Sequence, residues 1–136
     1  MSDANIIKEA QSVTHPRQLS FDNDAGGVGS AILTDSGNVY RGVTIDTNSG
    51  MGFCAEHSAI AAMITAGESH IAKVVSVWHD DKEDKWYVLP PCGRCREMMK
   101  QIDERNLEAN VVLGKNDVMK LKELLPRHEW PEPLEI

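Results

Sequence analysis

The strongest constraint on this chain is that all three of its cysteines fall in two short stretches far apart in the sequence. Cys54 opens Cys54-Ala55-Glu56, while Cys92 and Cys95 belong to Pro91-Cys92-Gly93-Arg94-Cys95. Because Cys92 and Cys95 are three residues apart, a turn or the first turn of a helix directs both sulfurs to one point. The pattern predicts three thiolate ligands for a single Zn²⁺ ion, with the two stretches brought together by folding.

The number of ligands favours a catalytic zinc site over a structural one. Zinc takes four ligands in a tetrahedron, and a structural site supplies all four from the protein. Three cysteines leave one position for water, and Glu56 lies two residues after Cys54, where its carboxylate can reach that position. A positioned carboxylate contributes roughly 10²–10⁴ in rate as a general acid or base. The sequence therefore predicts Glu56 as the catalytic acid/base.

Two other interpretations of the cysteines stay open. Cys92-x-x-Cys95 by itself is also typical of a redox pair or of half a structural zinc site. A redox pair leaves Cys54 and Glu56 without a role. A structural site needs a fourth ligand, such as His57 or His79, and we do not expect His57 to face the metal together with Cys54 because it directly follows Glu56.

Composition and charge limit the partners of the protein. A chain of 136 residues is large enough for one domain, expected over 1–136, with a modest core. A net charge of −7 disfavours binding to nucleic acid, which requires a positive surface. The chain has no run of eighteen apolar residues and no signal-peptide pattern at its N-terminus. These features predict a cytoplasmic protein that acts on a small molecule without membrane contact.

Hydrophobic periodicity and turn signals predict alternating helices and strands. Helices are expected over 3–14, 55–66, from 92 through 102, and over 117–125. Strands are expected over 28–34, 39–45, 71–78 and 111–113, with a further short pairing over 86–89 and a loop over 17–27. This order predicts an α/β fold, a three-layer α/β/α sandwich around a mixed sheet of about five strands. Both metal-bearing helices then dock on one face, where their N-termini converge.

Cys54-Ala55-Glu56 followed by Pro91-Cys92-x-x-Cys95 resembles the signature of the zinc-dependent cytidine deaminase superfamily. The similarity runs from about Gly26 to Trp130, and cysteine as the first ligand is similar to the free-nucleoside branch of cytidine and blasticidin-S deaminases. The resemblance implies the same α/β/α fold, one zinc per chain, no organic cofactor and a homotetramer. It also implies a hydrolytic deaminase that converts the exocyclic amine of a cytosine-type nucleoside to an oxo group and releases ammonia.

The resemblance also implies residues beside the zinc and around the substrate, and several of them differ from the usual family residues. Many cytidine deaminases carry Arg directly after the catalytic Glu, where this chain has His57, so we expect Arg94 to act beside the zinc-bound sulfurs instead. The family's sugar-binding Asn and Glu correspond to Thr44 and Asp46. Trp130 corresponds to an aromatic residue that a neighbouring subunit places over the site. Whether Arg94 or His57 tunes the charge of the zinc site stays open, as do Arg94 as a surface arginine and Trp130 as an anchor of the C-terminus.

The substitutions at Thr44 and Asp46 leave the substrate open. Cytidine or deoxycytidine is one choice, and a cytosine-bearing antibiotic such as blasticidin S or another aminated heterocycle is a second. A catalytically inactive, zinc-stabilised binding protein is a third interpretation, and the presence of Glu56 argues against it.

Overall fold

The structure is a computed structural model, and it describes residues 1–129. Three α-helices lie in this range. They are α1 (Asp3–Gln11), α2 (Ala55–Thr65) and α3 (Gly93–Ile102). Two short 3₁₀ helices, Glu104–Glu108 and Leu121–Leu124, follow α3. Within residues 1–129 no helix combines the length and the apolar character needed to cross a membrane.

Seven strands of the described range form one mixed sheet. Their bounds are β1 (Arg17–Gln18), β2 (Asp24–Thr34), β3 (Val39–Asp46), β4 (Ile71–Asp80), β5 (Lys85–Leu89), β6 (Asn110–Gly114) and β7 (Asp117–Lys120). β2 pairs with β1, β3 and β4, and β4 pairs in turn with β5 and β6. β4 and β6 run parallel, whereas the other pairs, including β6 with β7, are antiparallel.

Helices cover both faces of the sheet. Because successive strand residues point to opposite faces, neighbouring residues of β4 enter different cores. Val75 packs with α1 on one face, and Val74 packs with α2 and α3 on the other. The larger core, on the α2 and α3 face, contains Ile32, Ala59, Ile60, Met63, Ile71, Val74, Cys95, Met99, Ala109, Val111 and Leu121. The three-layer α/β/α arrangement predicted from the sequence is confirmed.

The sheet is larger than predicted, with seven strands within residues 1–129 instead of about five. The range 17–27, expected to be a loop, contains β1 and the first residues of β2. Arg17 lies opposite Ala25, so β1 forms by pairing with the start of β2. Its two residues are exposed and carry no hydrophobic alternation, which is why the pattern did not indicate a strand.

The helix predicted over 117–125 is wrong. Asp117–Lys120 forms β7, which pairs antiparallel with β6, and the next residues form the short 3₁₀ helix Leu121–Leu124. The reversal into β7 passes through Asn116 in the left-handed conformation, at φ 60°. Pairing with the neighbouring strand has overridden the helical preference of this segment.

One glycine fixes how closely α2 lies on the sheet. A β-carbon at Gly42 in β3 would lie 2.2 Å from the backbone nitrogen of Ala59 and 2.5 Å from the Ser58 side chain. The Ser58 hydroxyl donates a hydrogen bond to the carbonyl of Val43, 2.7 Å away, at the same crossing. The absence of a side chain at Gly42 therefore lets the first turns of α2 approach β3 directly.

Candidate metal centre and active site

The three cysteines predicted as zinc ligands lie together in the structure. Cys54 Sγ and Cys95 Sγ are each 3.3 Å from Cys92 Sγ, and all three sulfurs lie within 4.8 Å of one another. Sulfurs around a tetrahedral zinc ion at ~2.3 Å are about 3.8 Å apart, so the cluster has the size of such a site. Cys95 is buried and Cys92 is exposed, so the cluster opens to solvent on one side.

Two helix starts supply the charge that this donor set needs. Cys54 is the N-cap residue of α2 and Cys92 is the N-cap residue of α3, and neither side chain makes a capping hydrogen bond. Each helix N-terminus carries about half a positive charge, which stabilises thiolates beside it. Three sulfurs, an open side and two positive helix ends fit one Zn²⁺ ion, and the cluster is positioned to bind it.

The thiols of the cluster differ in acidity. Burial raises the pKa of Cys95, and the neighbouring Glu56 carboxylate raises it further. Burial also raises the pKa of Cys54. At Cys92 burial acts in the same direction, but hydrogen bonds from Cys95 and Cys54 outweigh it and lower the pKa. A cation bound at the cluster would supply the charge that keeps the most buried sulfur, that of Cys95, ionised.

Glu56 lies against the sulfur cluster in the first turn of α2 and is only 5% exposed. One carboxylate oxygen, Oε2, accepts a hydrogen bond from the Cys95 thiol at 3.2 Å. The other, Oε1, accepts from the hydroxyl of Ser76 in β4. A buried carboxylate with partners on both oxygens is held in one orientation next to the cluster.

His57, where many cytidine deaminases carry Arg, lies beside the sulfur cluster, although we did not expect it to face the metal together with Cys54. Its Nδ1 lies 3.2 Å from Cys95 Sγ, and the residue is 8% exposed. Burial lowers the pKa of His57, and the positive charge of Arg94 lowers it further, while Glu56 opposes both effects. Arg94 itself is exposed on the first turn of α3. The available signal for His57 was its position three residues after Cys54, on the same side of α2.

Ser76 was also missed, because a serine inside a β-type run carries no functional signal in the sequence. It lies two residues after Val74 in β4 and therefore points to the same face, toward α2 and α3. The residue is 3% exposed, and its hydroxyl donates a hydrogen bond to the Glu56 carboxylate. This hydrogen bond connects β4 of the sheet to Glu56 beside the sulfur cluster.

Thr44 and Asp46, predicted to bind substrate, share the face of β3 that carries Gly42 and hence α2. Thr44 Oγ1 donates to the carbonyl oxygen of Phe53, 3.2 Å away, just before Cys54. Asp46 is exposed and opposite Asp24 in β2. Desolvation and then the Asp24 carboxylate raise the pKa of Asp46. Trp130, the third predicted contact, lies outside the described residues.

Known proteins are similar to this chain in both sequence and fold. Residues 2–110 match the family model described as the cytidine and deoxycytidylate deaminase zinc-binding region. A cytidine deaminase of Halalkalibacterium halodurans is 30% identical over 124 residues, which cover 89% of each chain. A blasticidin-S deaminase of Bacillus cereus is 28% identical over 128 residues, covering 91% of this chain and 89% of the relative.

Solved structures of cytidine deaminases are similar to this chain in fold. The cytidine deaminase from Burkholderia pseudomallei superimposes with a TM-score of 0.73 and 25% identity, covering 93% of this chain and 98% of that one. The cytidine deaminase from Mycobacterium leprae gives a TM-score of 0.73 at 25% identity, with coverage of 93% and 99%. The family resemblance stated from the sequence is confirmed. With a family match over 2–110 and relatives aligned along most of its length, the chain belongs to the cytidine and deoxycytidylate deaminase family.

Proposed function

We propose that this protein is a zinc-dependent hydrolytic deaminase that converts the exocyclic amine of a cytosine-type nucleoside to an oxo group and releases ammonia. The observation that carries the proposal is the Glu56 carboxylate, buried against the three sulfurs at the converging starts of α2 and α3. Relatives aligned over most of the chain include a cytidine deaminase and a blasticidin-S deaminase. We assign Cys54, Cys92 and Cys95 as the zinc ligands and Glu56 as the acid/base.

A zinc ion held by Cys54, Cys92 and Cys95 would supply Lewis acidity, which would lower the pKa of a water molecule to about 7. Glu56 takes one proton from the attacking water molecule and passes it to the ring nitrogen of the substrate, while the water oxygen bonds to the ring carbon that bears the amine. Glu56 then takes the remaining proton from that oxygen and delivers it to the exocyclic amine, so that the carbon–nitrogen bond breaks, ammonia leaves and the oxo group remains. The burial of Glu56 keeps bulk water away from the proton that it carries.

The nearby residues take supporting roles in this proposal. His57 contacts Cys95 Sγ and draws charge from the sulfur, and the exposed Arg94 adds its positive charge nearby. Thr44 and Asp46 bind the sugar hydroxyls, because they lie on the sheet face that carries α2 and both offer oxygen acceptors. Trp130 covers the site of a neighbouring subunit in a homotetramer. The protein acts as one domain in the cytoplasm, on a small molecule.

A cytosine-bearing antibiotic, or another aminated heterocycle, is the second candidate substrate. The 28% identity to a blasticidin-S deaminase over 91% of this chain favours it as much as the cytidine deaminase relatives favour cytidine. Thr44 and Asp46 also differ from the Asn and Glu of the cytidine deaminase pattern. Each side chain either is shorter than the family residue or lacks its amide donor. The same deamination chemistry applies to both candidate substrates, so measured turnover of each compound decides between them.

Ammonia release by zinc-loaded protein tests the proposal directly. The substrates are cytidine, deoxycytidine, blasticidin S and several aminopurines, with Glu56→Gln as the matched variant and zinc per chain measured in both proteins. We expect turnover of a cytosine compound by the wild type and its loss in Glu56→Gln at unchanged zinc content. Absence of turnover for every compound, despite one zinc per chain, would instead favour a zinc-stabilised binding protein.

A further inference from the structure

Ser76 reaches the proposed acid/base from the central strand of the sheet. Ser76 lies in β4, Glu56 lies in α2, and the serine hydroxyl donates a hydrogen bond to Oε1 of the glutamate. Both residues are almost fully buried, at 3% and 5% exposure. A buried hydroxyl and a buried carboxyl group that are hydrogen-bonded satisfy each other, so this contact ties the Glu56 side chain to β4.

The two oxygens of Glu56 have partners of different kinds. Oε2 faces the sulfur cluster, 3.2 Å from Cys95 Sγ. Oε1 faces the sheet, where it accepts a hydrogen bond from the Ser76 hydroxyl. The contact with Ser76 therefore holds Oε1 on the sheet side and leaves Oε2 directed at the cluster.

We propose that Ser76 is a positioning residue that fixes the rotation of the Glu56 carboxylate, so that Oε2 is the oxygen that carries the proton. The terminal torsion of a glutamate is broad and nearly two-fold, so without an anchor its carboxylate samples many orientations. One hydrogen bond on Oε1 removes that freedom. This inference rests on the proposed function, since it assigns the geometry of the same acid/base.

A neighbouring serine shows what a purely structural hydroxyl looks like in this sheet. Ser30 of β2 is the Cα partner of Ser76 and is fully buried. Its hydroxyl donates to a backbone oxygen, that of Val75, at 2.9 Å. Ser76 instead donates to a side chain of the active site. The pair provides a matched control, because the same Ser→Ala change on adjacent strands removes a backbone contact in one case and the Glu56 anchor in the other.

The kinetic test compares Ser76→Ala with Ser30→Ala in zinc-loaded protein, using the substrate that the wild type deaminates. We expect Ser76→Ala to keep one zinc per chain and a KM within about threefold of the wild type, while kcat falls roughly 10- to 100-fold. Ser30→Ala keeps its kcat. Ser76→Cys, which keeps a weaker donor in a similar volume, regains part of the kcat and also serves if Ser76→Ala does not fold.

A second readout does not depend on activity. The thermal unfolding midpoints of the wild type, Ser76→Ala, Glu56→Ala and the double variant form a double-mutant cycle. We expect the midpoint to fall clearly for Ser76→Ala in the wild type, where a buried carboxylate oxygen loses its partner, and to fall much less in the Glu56→Ala background. Equal falls in the two backgrounds would mean that the contact is not made in solution, and the inference would be overturned.

The outcomes separate this inference from the proposed function. A wild type that deaminates while Ser76→Ala keeps its kcat overturns the inference and leaves the function standing. Loss of zinc in Ser76→Ala, or an equal loss of kcat in Ser30→Ala, also overturns it, because either result indicates a structural role. If the wild type turns over no substrate, the proposed function fails and the inference fails with it.

Discussion

His57 Nδ1 lies 3.2 Å from Cys95 Sγ, in a buried contact that joins the first turn of α2 to the first turn of α3. A ring N–H that donates to a thiolate withdraws charge from the sulfur and holds its orientation. Three thiolates on one zinc ion carry a net charge of −1, so a His57 ring that donates its Nδ1–H to Cys95 would make a bound zinc ion a better Lewis acid.

We therefore expect His57→Phe to weaken zinc binding by roughly tenfold, since partners of metal ligands typically contribute 10- to 100-fold in affinity. Arg94→Met is the matched comparison and should have a smaller effect, because Arg94 is exposed and makes no hydrogen bond to the sulfurs within the described residues. Competition with a chromophoric chelator measures both affinities. Wild-type zinc affinity in His57→Phe would show that the contact does not stabilise the metal centre.

Removal of the ion should lower the thermal stability of the fold. α2 and α3 both begin at a cysteine that makes no capping hydrogen bond, so a zinc ion bound by the cluster would be their shared N-terminal partner. Chelation should lower the unfolding midpoint, and added zinc should restore it, as followed by scanning calorimetry. Cys92→Ser should show little difference between the two conditions, and a full zinc response in that variant would argue against Cys92 as a ligand.

Gly42→Ala should destabilise the protein by about 1–3 kcal/mol or more through overpacking against α2. The added β-carbon meets the backbone at Ala59, 2.2 Å away, and a helix backbone cannot move aside as a side chain can. Gly27→Ala is the control, because a β-carbon at Gly27 has nothing within 4 Å. Urea unfolding measures both variants, and equal stability of the two would contradict the close approach of α2 to β3.

Glu68 should make stability depend on pH below the neutral range. Hydrogen bonds from Tyr40, then Asn38, lower the pKa of Glu68 from 4.5 to about 2. The unfolded chain therefore binds this proton more readily, so the contribution is complete above pH 4.5 and disappears as the pH falls toward 2. The difference in urea midpoint between wild type and Glu68→Gln should shrink over that window. Tyr40→Phe should retain part of the effect, and a difference that is constant with pH would rule out the shift.

Asp46→Ala and Thr44→Val should act on substrate binding rather than on chemistry. Both side chains lie on the sheet face that carries α2, but neither contacts the sulfur cluster or Glu56 in the described hydrogen bonds. We expect KM to rise by about tenfold or more with kcat nearly unchanged, as for loss of uniform binding. Steady-state kinetics of ammonia release provide the measurement. A fall in kcat at constant KM would place these residues in the chemical step instead.

The sequence predicted the features that are encoded locally. The spacing of Cys92 and Cys95 and the apolar run of α2 predicted the metal cluster and the layer that holds it. Features that depend on contacts between distant segments could not be predicted from local sequence patterns. β7 was predicted as a helix because its partner β6 is what makes it a strand. Ser76 and His57 acquire their roles only through contacts across 20 and 38 positions.

Cys54 and Cys92 are 38 positions apart, so an ion that binds both closes a loop in the chain. The entropy of closing a flexible loop grows slowly with its length, by about 0.6 kcal/mol for each doubling. The exposed turn over 81–84, between β4 and β5, lies inside that loop. Insertions there therefore cost little stability and leave the ligands in place, which makes this turn a segment where length and surface can diverge during evolution while the chemistry is preserved.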